Sequence, residues 1–165
     1  MVHGLLTAVT SLVTRASVPA DVSSALEAPS SRSQERTDRY ADFFSKIEVL
    51  PGLFANGRLT LGENLADHGG LQVAWTAYKN ATKRESLGEK DGLTADQRFF
   101  HAYAGVWANN ITDEEIRNRT KSDPHSLGRW RVNGSLPHIK AWYDAFDVKE
   151  GDKMFIPESE RLQLW

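Results

Sequence analysis

LTLGENLADHGGL, running from Leu59 to Leu71, has the pattern of a helix that opens at Thr60 and carries two carboxylates on one face. Each helical residue turns about 100°, so Glu63 and Asp67 stand about 40° apart around the axis, one turn from each other. Such a pair suits a cation, because one carboxylate can bind a metal while the other orients a neighbouring ligand. Leu61 and Leu65 give the face an apolar setting. Gly69-Gly70 predicts the close approach of another backbone, at a cost in helix propensity of roughly 1 kcal/mol per glycine. The same residues have a simpler reading. Thr60 followed three residues later by Glu63 is a capping box, in which Glu63 turns back to the helix start and has no further role.

The rest of the chain narrows the alternatives. With 165 residues, 40% of them hydrophobic and five of them Trp, there is material for one sizeable core. A net charge of -2 without any cluster of Lys or Arg argues against a nucleic-acid interface. The absence of Cys excludes disulfides and thiolate metal sites. The five histidines, His3, His68, His101, His125 and His138, are isolated from one another in sequence. His68 follows Glu63 by five residues, about 140° round the helix, so these two side chains diverge.

Residues 1–34 differ in character from the remainder of the chain. Gly4 to Val13 is too short and too interrupted by Thr and Ser to span a bilayer, so no membrane span is expected. Val18-Pro19-Ala20 resembles a signal-peptide exit, but no Lys or Arg precedes the apolar run. Ala28 to Ser33 reads as a linker. Residues 35–165 then read as a single, mainly α domain with short extended segments. Tyr40, Phe43, Phe44 and Ile47 have helical spacing within Gln34 to Ile47, and Pro51-Gly52 and Asn56-Gly57 break the pattern. The helix from Thr60 runs to about Ala81, with Leu71, Val73, Ala74, Trp75, Ala77 and Tyr78 forming a broad apolar face. Lys83 to Gly92 is an exposed loop. Thr94 and Gln97 open a helix whose stripe is Phe99, Phe100, Tyr103, Val106 and Trp107; Thr112 and Glu115 open another that ends near Lys121.

Asp123-Pro124-His125 forms a fixed turn, because Pro124 sets its own φ and pushes Asp123 out of helix. A histidine held there can donate to an oxyanion, or simply bond the backbone. Arg131 alone reads as a surface ion pair, usually worth about 0–1 kcal/mol. Asn133 or Ser135 is expected to cap a last helix, with Pro137 in its first turn and Ile139, Trp142, Tyr143 and Phe146 inward. Extended pieces are expected at Trp130 to Val132 and Met154 to Ile156, Gly151-Asp152 reads as a turn, and Trp165 is expected to be buried. His101 and His138 read as packing or surface residues.

Three stretches, NGRLTLGENLADHGGLQVAW, KSDPHSLGRWRVNG and VKEGDKMFIPESERLQLW, in this order and spacing, resemble the C-terminal part of the neprilysin family of zinc metallopeptidases, its bacterial members above all. The resemblance covers about Glu35 to Trp165. It implies that Glu63 is the third zinc ligand and that Asp67 holds a zinc histidine. It implies that His125 stabilises the tetrahedral intermediate, that Asp123 orients His125 and that Arg131 binds a substrate carbonyl. Val106 and Trp107 would line the pocket for the side chain after the cut bond. The implied cofactor is zinc, the substrate a peptide and the location extracytoplasmic. Two departures stand out. Leu127 replaces the family's usual Pro, which is expected to loosen the loop, and the disulfides of eukaryotic relatives are missing.

No HExxH occurs in the chain, so two zinc ligands and the general base are absent from it. The expectation is a C-terminal fragment, inactive alone, with an unrelated leader where the metal-binding half would stand; a separate chain carrying HExxH would be its complement. The alternative is a non-catalytic helical binding module, or a remnant, on the same scaffold. An exposed apolar face where the HExxH helix would pack separates the two.

Overall fold

The computed structural model describes residues 31–84 and 87–163. Of the two units into which the chain divides, Met1–Gln34 and Glu35–Trp165, the second carries the core and the candidate site. The expected signal pattern and the burial of Trp165 fall outside the described residues.

The domain is mainly α. Helix α1 (Ser31–Ser45) starts inside the stretch read as a linker and buries Tyr40, Ala41 and Phe44 at helical spacing. A hairpin follows, β1 (Glu48–Leu50) pairing antiparallel with β2 (Leu53–Phe54). Pro51-Gly52 is its turn; Gly52 has φ +75°, a conformation that costs glycine nothing, and its N–H donates to the Glu48 carboxylate at 2.7 Å. This hairpin is the only sheet among the described residues. The extended segments expected at Trp130 to Val132 and Met154 to Ile156 are not strands. Trp130 to Val132 lie in a short helix, because the N–H groups of Trp130 and Arg131 both turn back to the carbonyl of Leu127.

Helix α2 (Leu61–Thr82) is the long motif helix, followed by α3 (Ala95–Val106), α4 (Asp113–Ser122), α5 (Gly128–Asn133) and α6 (Lys140–Phe146). Thr94 and Gln97 form the expected capping box of α3, and the Thr112 side chain caps α4. The cap expected for the last helix is not found. Ser135 is buried without capping, Pro137 sits in a separate 3-10 turn (Leu136–His138), and α6 begins only at Lys140.

The main core joins Leu71 of α2, Phe100 of α3, Val132 of α5, Leu136 and Ile139 of the 3-10 turn, and Trp142 and Tyr143 of α6. Trp75 stacks on Phe100 with ring centroids 5.2 Å apart. The broad face expected on α2 is narrower: Val73 is 53% exposed and Ala77 is also exposed. A second cluster, Tyr40, Phe44 and Leu162, packs against Ile47, Leu61 and Leu65. Leu162 reaches it because the tail folds back. Its N–H donates to His138 Nδ1 at 3.0 Å, the N–H of Ile156 donates to the Tyr143 hydroxyl at 3.0 Å, and the Arg161 guanidinium lies 3.5 Å over the Tyr143 ring.

The close approach expected at Gly69-Gly70 is absent at Gly70, where a Cβ would meet open space. It occurs at Gly134, whose Cβ would lie 2.6 Å from both Phe44 ring carbons and the Trp130 carbonyl. Phe44 is fully buried and cannot step aside. Gly134→Val is therefore expected to destabilise the fold by about 1–3 kcal/mol through overpacking, whereas Gly70→Ala should stabilise it by about 0.5–1 kcal/mol through helix propensity. Urea denaturation of the two variants would decide this; equal stabilities would refute the close-approach account.

Candidate active site

The start of α2 is organised by Asn56, Thr60 and Asn64 rather than by a capping box. The Thr60 hydroxyl donates to the Asn56 carbonyl at 3.1 Å and accepts from the Asn64 amide at 3.0 Å. No side-chain cap forms at Thr60, so the simpler reading of Glu63 is not realised. Asn64, 1% exposed, then accepts from the Ser126 hydroxyl at 2.8 Å. This buried bond ties the Asp123-Pro124-His125 turn to α2 across 62 positions of sequence, and it sets which side chains meet.

On the outer face of α2, one turn apart as the spacing requires, Glu63 and Asp67 both look toward Arg131 of α5. Arg131 makes a bidentate pair with Asp67: Nε donates to Oδ2 and an Nη to Oδ1, each at 2.6 Å. The side chains are only 12% and 10% exposed. The guanidinium also covers the Trp107 ring at 3.8 Å, and the Arg131 carbonyl accepts from the Tyr103 hydroxyl at 2.9 Å. Burial works against its charge, but the Asp67 hydrogen bonds and the Asp67 and Glu63 charges outweigh that and raise its pKa. Arg131 is thus no ordinary surface pair. Glu63 is 3.8 Å from the same guanidinium and remains 41% exposed.

The turn after α4 holds the imidazole. Asp123 Oδ1 accepts the His125 backbone N–H at 2.9 Å and lies 2.7 Å from His125 Nδ1; Asp123 Oδ2 accepts from Arg119 Nε at 2.6 Å. The backbone bond from His125 leads the causes that hold the Asp123 carboxyl down at about 2, assisted by the His125 ring and Arg119 against the cost of burial. An ionised carboxylate only accepts, so Nδ1 carries the proton that faces it. Nε2 is left toward Glu63, 3.4 Å from its Oε2. Both readings of His125 hold at once, since backbone and ring share one Asp123 oxygen. Leu127 is buried and has φ -58°, the angle a proline ring would impose, so the expected loosening is not seen.

The structure therefore brings Glu63, Asp67, Asp123, His125, Arg131 and Trp107 to one place. Val106, at the end of α3, is 48% exposed rather than part of the core stripe, while Phe100 of that stripe is buried. Sequence reasoning missed Arg119, whose i, i+4 relation to Asp123 was legible, and the Asn56–Thr60–Asn64–Ser126 chain, which was not. His101 is exposed beside Phe146, and His138 is buried.

For a zinc ion, Glu63 offers an accessible carboxylate oxygen. Among the described residues no group of three His, Cys, Asp or Glu stands close enough to hold a metal. The residues present thus supply one ligand and do not by themselves make a zinc site, which takes three protein ligands in a catalytic centre.

Sequence and fold comparisons place this helical domain among the metallopeptidases. The chain belongs to peptidase family M13, whose family model matches residues 19–162. It is 37% identical over 134 residues to endothelin-converting enzyme 1 of Cavia porcellus, covering 79% of this chain and 17% of that protein. It is 33% identical over 138 residues to neprilysin-3 of Drosophila melanogaster, covering 81% and 17%. Among solved structures, the inhibitor complex of the zinc metalloprotease Zmp1 of Mycobacterium tuberculosis superposes with a TM-score of 0.77 at 32% identity, over 81% of this chain and 21% of that one. PepO from Lactobacillus rhamnosis gives 0.67 at 30% identity, over 80% and 19%. The chain spans less than a fifth of the length of these two curated relatives.

Proposed function

We propose that this chain is the C-terminal part of a zinc metalloendopeptidase catalytic domain, carrying the substrate-facing groups and one zinc ligand, and that it hydrolyses no peptide on its own. The observation that carries the reading is the His125 ring, held through Nδ1 by Asp123 and turned through Nε2 toward the Glu63 carboxylate. A protonated ring so held presents Nε2–H to the face where Glu63 opens. There it can donate to the oxygen of a scissile carbonyl as negative charge develops, while Asp123 balances the charge of the ring. Arg131, oriented by Asp67 and stacked on Trp107, offers a guanidinium to a substrate carbonyl, and Val106 with Trp107 offers apolar surface to the neighbouring side chain. Zinc, where a full ligand set is present, supplies Lewis acidity. The remaining ligands and the general base would come from a polypeptide carrying HExxH, in an extracytoplasmic setting. Among the described residues no helix is long and apolar enough to cross a membrane.

The binding-module reading keeps the scaffold but gives no reason for Asp123 to fix the ring. The test is calorimetric zinc titration of the purified chain, with Glu63→Ala as control, alongside a peptide-cleavage assay. The expected result is no submicromolar zinc binding and no cleavage, because Glu63 is one ligand of three. Submicromolar zinc that depends on Glu63, accompanied by cleavage, would overturn the fragment reading.

A further inference from the structure

We propose that Arg119 is a positioning residue for His125: by holding Asp123 Oδ2 it reserves Oδ1 for the imidazole. The proposal rests on the reading of His125 as the oxyanion-facing group. Asp123 is anchored to Arg119 twice. Its backbone N–H donates to the Arg119 carbonyl at 2.8 Å, and its Oδ2 accepts from Arg119 Nε at 2.6 Å. The two oxygens of one carboxylate are thus divided between an arginine on the last turn of α4 and a histidine two residues beyond the aspartate.

An ordinary helix-surface pair would not be built this way. Asp123 sits at the C-cap, where the helix dipole disfavours an anion. The order, Arg before its acid, is the weaker one for an i, i+4 pair. Such a placement is a poor way to stabilise a helix. It makes sense for holding a carboxylate that has another task, since a carboxylate free to rotate about its last bond would offer either oxygen to His125. The Arg119 and Asp123 side chains are 29% and 23% exposed, so the bond is partly sheltered from water.

The test reads the ring, not activity. In the neutral form His125 of the parent chain should be mainly Nδ1–H, as shown by its ring ¹⁵N shifts at fixed alkaline pH, and Asp123→Ala sets the value for a free ring. Arg119→Met keeps the stem and removes the donor. It should shift the population several-fold toward Nε2–H without changing the far-ultraviolet circular dichroism. Arg119→Gln places an N–H at the same distance along the side chain as Arg Nε, and should retain the parent pattern. An unchanged ring in Arg119→Met would overturn the proposal. So would equal loss in Arg119→Gln, or loss of the fold in Arg119→Met, which would make Arg119 a structural residue. None of these outcomes depends on whether the chain completes a peptidase.

Discussion

Lowering the pH from 7 to about 4.5 is expected to remove about 5 kcal/mol of folding stability, a change comparable to the whole stability of many small domains. The cause is a pair of buried histidines. His68 is fully buried on α2 and His138 is 5% exposed in the 3-10 turn, each within ring contact of Tyr40. Burial lowers His68 from 6.5 to about 4. Burial lowers His138 further, to about 3, with help from the charges of His68 and Arg161. Both are neutral in the folded protein above these values. The unfolded chain takes up both protons below about 6.5, so there the unfolded state binds more protons than the folded one. Stability is fully present above the unfolded value and falls as the pH drops, by about 1.4 kcal/mol per unit for each histidine. The decline ends near 4 for His68 and near 3 for His138. Asp123 adds to the loss only below about 4, the range in which its own lowered carboxyl separates from an unfolded one.

Protonation would also break a bond. His138 Nδ1 accepts the Leu162 N–H, and a doubly protonated ring has no lone pair for it. The tail should therefore be the first part to feel acid. Urea denaturation at a series of pH values checks this. His138→Asn is the informative variant, because Asn Oδ1 stands where Nδ1 stood and can still accept from Leu162, so the tail bond survives while one titrating group is gone. Its slope of stability against pH between about 6.5 and 4.5 should be half that of the parent. A flat parent profile over this range would show that water reaches both rings, and would sink the account.

The sequence made some elements legible and concealed others for identifiable reasons. Helices α1 to α4 carry apolar residues at helical spacing or a Thr with its cap, and these signals are local. The hairpin was concealed because strands of three and two residues show no period. Trp130-Arg131-Val132 alternates like a strand, but three residues cannot distinguish the two periods, and the Leu127 carbonyl settles it as helix. At the site, Pro124 announced the turn of Asp123 and His125. The chemistry of Glu63 hung between a cap and a ligand because the competing bonds of Asn56 and Asn64 to Thr60 are tertiary choices within a local stretch. Nothing in the spacing of Asp67 and Arg131, 64 positions apart, foretold their pairing. Their roles in catalysis came from resemblance, and their contact from folding.

That pairing sets the second large effect. Asp67→Ala is expected to cost about 3–5 kcal/mol, because it leaves a nearly buried guanidinium without its anion. Arg131 cannot escape by losing its proton, its pKa being raised rather than lowered, and the Trp107 face compensates only in part. Glu63 is too far and too exposed to substitute, at 3.8 Å with a 41% exposed side chain, so Glu63→Ala should change stability by less than about 1 kcal/mol. The two carboxylates of one helix face thus separate by experiment: one holds the fold of the site together, the other is left free for a ligand. Adding Arg131→Met to Asp67→Ala should recover part of the loss, since removing both members of a buried pair costs less than removing one. Denaturant titration of the four proteins closes the cycle. An Asp67→Ala cost below about 1 kcal/mol would mean that solvent screens the pair. Asp67 would then be as available as Glu63, and the division of labour between them would fail.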